Sequence, residues 1–307
     1  MRIDAVLIAG PTASGKSASA LELAERLKGA LVNTDSMQVY GEARILTARP
    51  GEAALSRAPH QLYGHVSVHE PYSVARYQTD ALRVMNDVQN RGMLPVFVGG
   101  TGLYFHALTE GLAAIPPVPQ AIREKTRARR AEIGAEAFFA EFAARDPGTA
   151  ARLRASDTQR VSRASEVFEA TGRPLLDWQQ TRGPVPLAGM RLARFVLSPP
   201  RAELHRRIAL RFEQMLAAGA IKEAARLTDI DPALPSAKIL GLRELLQVRD
   251  GVSMLDVAKS AATTATRQYA KRQLTWFRHR MADWDWIETP ETDEIVTQML
   301  ARIRGRE

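Results

Sequence analysis

The eight residues Gly10-Pro11-Thr12-Ala13-Ser14-Gly15-Lys16-Ser17 fit the spacing G-x-x-x-x-G-K-S/T and follow directly on the apolar run Ala5–Ala9. A short strand, a glycine-bounded loop and then a helix from about Lys16 to Lys28 is the context in which this spacing builds a phosphate cradle. The glycines permit a tight path, and successive N–H groups and the helix N-terminus then point at an anion. Lys16 adds a positive charge and Ser17 a hydroxyl suited to Mg²⁺. A glycine-rich turn matching by chance would lack both flanking elements.

Beyond the loop, short apolar runs alternate with helical stretches: Ala30–Asn33, a helix near Val74–Arg91, then Leu94–Val98. That alternation predicts an α/β fold, a P-loop-type parallel sheet core flanked by helices, with ligands at the carboxyl ends of the strands. The string "IPPVPQ" from Ile115 punctuates the chain, and Ala-, Arg- and Glu-rich helical sequence runs to Gln180 before a second punctuation, "RGPVPLAG". "RFVL" at Arg194–Leu197 then reads as a core strand, and the remainder as helical. The expected organisation is a catalytic core of residues 1–115 and 191–307 with an inserted all-helical domain at 116–190.

Charge narrows the partners. The 307 residues carry a net charge of +8, and residues 116–190 hold 12 Lys/Arg against 9 Asp/Glu. Ala261–Met281 has five Lys/Arg and no acid. Arginine's planar fork suits phosphate, so a polyanion is a candidate partner, although a solvated basic surface has the same composition. The absence of cysteine excludes disulfides, thiolate zinc sites and a catalytic thiol. Ala5–Ala9 is too short for a signal-peptide core or a membrane span, so the expectation is a cytoplasmic monomer with no membrane and no obligate protein partner.

Two further positions carry potential chemistry. Asp35, in "NTDSMQVY" after the second apolar run, is placed at a strand end where a carboxylate can take a proton near bound phosphate; it could equally cap a turn. Thr101 follows two glycines at another strand end, where its hydroxyl and nearby N–H groups could meet an anion. Phosphate-loop hydrolases and kinases usually end a second apolar strand in a magnesium-organising Asp. Leu94–Val98 instead enters Gly99-Gly100-Thr101-Gly102, which weakens an ATPase reading. The six histidines show no metal-ligand spacing. Trp276 lies within the basic segment and is the best candidate among the tryptophans for a base contact.

The ordered strings "GPTASGKS", "NTDSMQVY", "TARP", "PYSVARYQ", "LPVFVGGTGLY", "DTQRVSRASEV", "TGRP" and "YAKRQLTWFR" together resemble the tRNA dimethylallyltransferases, also called tRNA isopentenyltransferases, over essentially the whole chain. Three motifs depart from that pattern: Arg49 stands where lysine is usual, Ser165 where leucine is usual, and "GLREL" at Gly241–Leu245 replaces a usual "GYKEL". The resemblance implies transfer of a dimethylallyl group from dimethylallyl diphosphate to N6 of adenosine 37, in tRNAs reading codons that begin with U, with Mg²⁺ as cofactor.

On that resemblance the loop from Gly10 to Ser17 holds a diphosphate that leaves, with Lys16 stabilising it and Ser17 as a metal ligand. Asp35 matches the family's base, and Thr101 the position that assists departure. Asp35, Ser36, Met37 and Gln38 match the strip that receives the target base, Gln38 offering an amide suited to an adenine edge. Arg123 and the run Gln159, Arg160, Val161, Ser162 and Arg163 match positions that contact the tRNA anticodon stem-loop. Arg160 and Arg163 lie three apart and so share a helix face. A surface ion pair with a neighbouring acid is the plainer account of each arginine. Competing functions are a small-molecule kinase using ATP, prenylation of free adenine nucleotides, and a tRNA-binding module without activity. The loop alone does not distinguish the first; the basic insertion and basic C-terminal segment argue against the second, since a mononucleotide needs neither, and Asp35 with the strand-end loop against the third.

Overall fold

The computed structural model describes residues 3–181 and 183–305. The chain divides into two compact units, residues 1–109 with 187–307, and residues 110–186. The first unit is built on a parallel sheet of six strands among the described residues: β1 (Ala5–Ala9), β2 (Gly29–Asn33), β3 (His60–Gln61), β4 (Leu94–Gly99), β5 (Leu192–Leu197) and β6 (Asp285–Ile287). Their spatial order is β3-β2-β4-β1-β5-β6. β3 and β6, two and three residues long, are too short to leave a periodic pattern, which is why only the other four are legible as apolar runs.

β1 is buried at all five positions. Leu7 and Ala9 face one apolar cluster with Val32, Phe97 and Val196, whereas Val6 and Ile8 face another with Leu31, Val96 and Phe195. Successive side chains of a strand point to opposite faces, so a run apolar throughout needs cover on both sides. Helices supply it: α1 (Lys16–Leu27), α2 (Glu52–Leu55), α3 (Val74–Asn90) and α4 (Gly102–Thr109), and, after α5 (Gln120–Arg145), α6 (Pro147–Ala150), α7 (Thr158–Thr171) and α8 (Leu175–Gln180) of the other unit, α9 (Arg201–Ala217), α10 (Ala220–Ala224), α11 (Leu242–Arg249), α12 (Leu255–Arg280) and α13 (Thr292–Arg304). α1 buries Ala20, Leu21, Leu23 and Ala24 in the second cluster. Each fully buried leucine contributes about 1.5–3 kcal/mol by leaving water.

Register decides what meets at the carboxyl edge. β4 lies between β1 and β2, with Ala9 opposite Gly99 and Asn33 opposite Val98. Gly10 N donates to Gly99 O at 3.2 Å and Thr34 N to Val98 O at 2.8 Å. The phosphate loop and Asp35 therefore flank the glycine loop from opposite sides, one strand apart.

The unit at 110–186 is all helical. Gly134, at φ 82° and ψ 168°, breaks α5 into two helices. Arg129 and Glu141, twelve residues apart, form an ion pair across the break, a separation of about 18 Å in a straight helix. The segment thus doubles back on itself. Its core is Val118, Phe138, Phe142, Val161, Ala164, Val167 and Leu175. Among the described residues no helix is long and apolar enough to cross a membrane.

Candidate functional site

The phosphate loop reaches its shape through two left-handed residues, Ala13 at φ 65° and Gly15 at φ 91°, the latter capping α1. Lys16 is only 8% exposed, and its Nζ donates to Pro11 O at 3.2 Å. Burial pulls its pKa down to about 8; the Asp35 charge opposes the fall and Arg211 adds to it. Ser14 Oγ is buried with no hydrogen-bond partner in the protein, and Ser17 is exposed in the first turn of α1. An anion in the cradle would raise that pKa again.

Three residues not singled out from the sequence close on this loop: Arg207 and Arg211 outside every quoted string, and Gln273 inside "YAKRQLTWFR". Arg211 of α9 donates to Thr12 Oγ1 at 3.1 Å, and burial lowers its pKa against the opposing charge of Asp35. Arg207, one turn earlier, brings Nη1 to 3.1 Å from where a Cβ on Gly15 would sit. Gln273 of α12 accepts from Thr12 N at 2.9 Å and donates to Gly100 O at 2.8 Å, tying the phosphate loop to the end of β4. The available signal was local: Arg207 and Arg211 lie four apart beside the buried stripe Leu204, Ile208 and Phe212. Nothing local distinguishes Gln273 from its basic neighbours.

Asp35 is held in place by a turn. Asn33, fully buried, accepts from Asp35 N at 2.9 Å and donates to Asp35 O and Leu62 O, both at 3.0 Å. Asp35 Oδ1 accepts from Met37 N at 2.9 Å. The carboxylate does close a turn, and its position also lets it act on Lys16 and Arg211. Burial raises the phenol pKa values of Tyr63 and Tyr269, and the Asp35 charge raises them further.

The two glycines before Thr101 have a steric reason. A Cβ on Gly99 would lie 2.0 Å from Thr34 O. One on Gly100 would lie 2.3 Å from Gln273 Nε2, 3.3 Å from Gly10 O and 3.4 Å from Asp35 Oδ2. Gly100 therefore stands between phosphate loop and carboxylate, where the Gln273 amide leaves no room for a side chain. Thr101 Oγ1 accepts from Ser36 N at 2.9 Å and donates to Ser36 Oγ at 3.2 Å, so its hydroxyl must release Ser36 before donating to a phosphate. Trp276 packs its ring against Gly102, at the start of α4.

Met37 is partly buried against the core. Gln38 Nε2 donates to Thr47 O at 2.9 Å and Ala48 O at 3.0 Å, which leaves Oε1 as the end available to a base. Arg49 Nη2 donates to Gly41 O at 2.9 Å while its guanidinium fills the space a side chain on Gly64 would take, so the two residues are sterically matched. Leu242 is buried in the core beside Leu245.

In the helical unit, Arg160 has a side chain 75% exposed and pairs with Asp157 at 3.4 Å. Arg163 lies 3.9 Å from Glu166, whose pKa burial raises while Arg163, Arg123, Arg127 and Arg130 oppose the rise. Ser162 Oγ accepts from Arg130 Nη1 at 2.8 Å. Val161 is 1% exposed and belongs to the unit's core, so it supports the strip from inside while Gln159 and Arg160 face solvent. An open cleft lined by Arg152, Arg154, Ser156, Asp157 and Arg160 adds two arginines that the motifs did not single out. Ser165 lies on the buried face of α7. Among the described residues no group of three or more His, Asp or Glu side chains is arranged to hold a metal.

A parallel sheet with a buried-lysine phosphate loop, a carboxylate across a glycine loop from it and a basic helical unit fit an α/β enzyme of anionic substrates. The IPP transferase family model matches residues 38–280, and the chain belongs to the IPP transferase family of prenyl-transferring enzymes. It is 48% identical over 300 residues to a tRNA dimethylallyltransferase of Bradyrhizobium sp. (strain ORS 278), covering 97% of each chain. A second, from Bradyrhizobium sp. (strain BTAi1 / ATCC BAA-1182), is 51% identical over 290 residues, with 94% of each covered. Among solved structures, the tRNA isopentenylpyrophosphate transferase of Bacillus halodurans superposes with a TM-score of 0.70 at 32% identity, covering 98% of this chain and 95% of that one. A eukaryotic dimethylallyltransferase acting on tRNA gives 0.74 at 26% identity, covering 89% and 69%.

Proposed function

We propose that this protein transfers the dimethylallyl group of dimethylallyl diphosphate to N6 of adenosine 37 in tRNAs reading codons that begin with U. The observation that carries this reading is the convergence at Gly100 of the phosphate loop, through Gly10 O, and the Asp35 carboxylate, 3.3 and 3.4 Å from the point where its Cβ would lie. A diphosphate in the loop and an amine at Asp35 would leave the allylic carbon between them, as in-line displacement requires.

The loop residues Gly10 to Ser17 would hold the diphosphate, with Lys16, Arg207 and Arg211 taking up negative charge as the C–O bond breaks. Asp35 would accept the proton that the alkylated N6 must lose, because an adenine amine is a weak nucleophile and its cation is acidic. Thr101 would turn from Ser36 toward a phosphate oxygen. Ser36, Met37 and Gln38 would seat the base, Gln38 through Oε1. Flipping that base out of the anticodon loop costs a few kcal/mol.

The donor set suits Mg²⁺ in one respect: Ser17 offers a hard oxygen in the first turn of α1, and Mg²⁺ normally takes most other ligands from phosphate and water. Bound there with substrate, it would neutralise charge on the departing diphosphate. Arg123, Gln159, Arg160, Ser162 and Arg163 would contact the anticodon stem-loop, with Lys271, Arg272, Arg278 and Arg280 adding to the basic surface. The helical unit at 110–186 would then be an RNA-binding insertion in a cytoplasmic, monomeric enzyme.

The test is incubation of the protein, Mg²⁺ and unmodified tRNA with either dimethylallyl diphosphate or ATP, followed by mass analysis of the nucleosides. A five-carbon gain on one adenosine, with the allyl donor only, is the expected result. Phosphate release from ATP without such a gain would return the loop to kinase chemistry.

A further inference from the structure

Glu223 lies in the five-residue helix α10, outside every motif. Its Oε2 accepts from Arg44 N at 3.0 Å and Ile45 N at 2.8 Å, and its Oε1 from Ile45 N at 2.9 Å and Leu46 N at 2.8 Å. One carboxylate thus holds three consecutive N–H groups, the arrangement by which a backbone turn binds an anion. The turn itself is strained. Ala48 has φ 49°, a left-handed conformation that persists only where the surroundings impose it.

The far side of that turn faces the site. Thr47 O accepts from both Gln38 Nε2, at 2.9 Å, and Arg211 Nη2, at 3.4 Å, while Ala48 O accepts from Gln38 Nε2 at 3.0 Å. The two carbonyls decide which end of the Gln38 amide turns outward: with Nε2 committed, the free end is an acceptor. An acceptor there suits a base edge bearing an amine and disfavours one bearing a carbonyl. Arg211 runs on to Thr12, so the same carbonyl also braces the phosphate loop.

We propose that Glu223 is a positioning residue for the base-receiving strip: by anchoring residues 44–46 it sets the Thr47 and Ala48 carbonyls, and through them the orientation of Gln38. This rests on the reading of Gln38 as a base contact. Without the carboxylate the three N–H groups turn to water, the strained turn relaxes, and the Gln38 amide loses its fixed orientation.

The experiment uses the full chain with dimethylallyl diphosphate and an unmodified tRNA, comparing Glu223→Gln, Glu223→Asp, Gln38→Ala and the double variant Glu223→Gln/Gln38→Ala. Glu223→Gln is expected to lower kcat/KM for tRNA about tenfold, and the double variant to be no worse than Gln38→Ala alone, because coupled neighbours are not additive. Glu223→Asp, which keeps the charge, is expected to recover part of the loss and serves if Glu223→Gln folds poorly. Ordinary kinetics in Glu223→Gln, or losses that multiply in the double variant, would overturn the proposal. Ordinary kinetics in Gln38→Ala would sink the base-contact reading itself, and the proposal with it.

Discussion

The strand-end site and the helical unit both carry cations, but in opposite surroundings. Lys16 is 8% exposed, and it, Arg211, Gln273 and Asp35 each have a named partner at fixed distance. Arg160 has a side chain 75% exposed, and its ion partner is a neighbour on its own helix. Charges kept from water act strongly on what they touch and cost little rearrangement when charge appears. Exposed pairs contribute about 0–1 kcal/mol and are screened within about 10 Å. On the function proposed above, the contrast would separate two tasks: a few buried groups to stabilise a transition state, and many weak surface charges to hold an RNA in register.

The sharpest break in this comparison is Asp35→Ala, expected to cut kcat by roughly 10³ while changing tRNA affinity less than about threefold. Equal loss of binding would make Asp35 a recognition residue like those of the helical unit. Next in size is Lys16→Ala, expected to lower kcat/KM for dimethylallyl diphosphate by roughly 10² while leaving tRNA binding alone. The same lysine gives the site a pH signature. Because its pKa is lowered to about 8 in the free protein, diphosphate affinity should weaken as pH rises through 8, by about tenfold per unit beyond it. Calorimetric titration between pH 7 and 9.5 reads this, and a flat profile would place the charge elsewhere.

Smaller effects belong to the surface. Arg160→Ala with Arg163→Ala is expected to weaken tRNA binding about tenfold at low salt and to reduce the salt slope by about 2. An unchanged slope would remove both arginines from the interface. The smallest effect tests the loop's backbone: Ala13→Gly relieves a left-handed alanine and should raise stability in chemical denaturation by about 1 kcal/mol, and an unchanged midpoint would mean the loop imposes no strain there.

The parts legible in the sequence were those written in local patterns. β1, β2, β4 and β5 are predominantly apolar runs, interrupted in β5 by Arg194, because both faces of the sheet are covered, and the loop from Gly10 to Ser17 declares itself by spacing. Resemblance, rather than spacing, singled out Asp35 from turn-forming aspartates; the structure shows it closing a turn, with its charge acting on Lys16 and Arg211. Val161 sits in the motif strip yet points into the core, since a helix that offers one face to a ligand must bury the other.

The amino-acid order by itself therefore determined a phosphate cradle on a parallel sheet interrupted by basic helices, because propensity, hydrophobic period and glycine spacing act over a few residues. Only the tertiary structure decided who braces the cradle. Gln273 meets Thr12 across 261 residues, Arg211 meets it across 199, and Glu223 holds Ile45 across 178. A hydrogen bond between groups so far apart in the chain leaves no periodicity in either segment; it exists because the strand order and helix packing bring both to the same edge of the sheet.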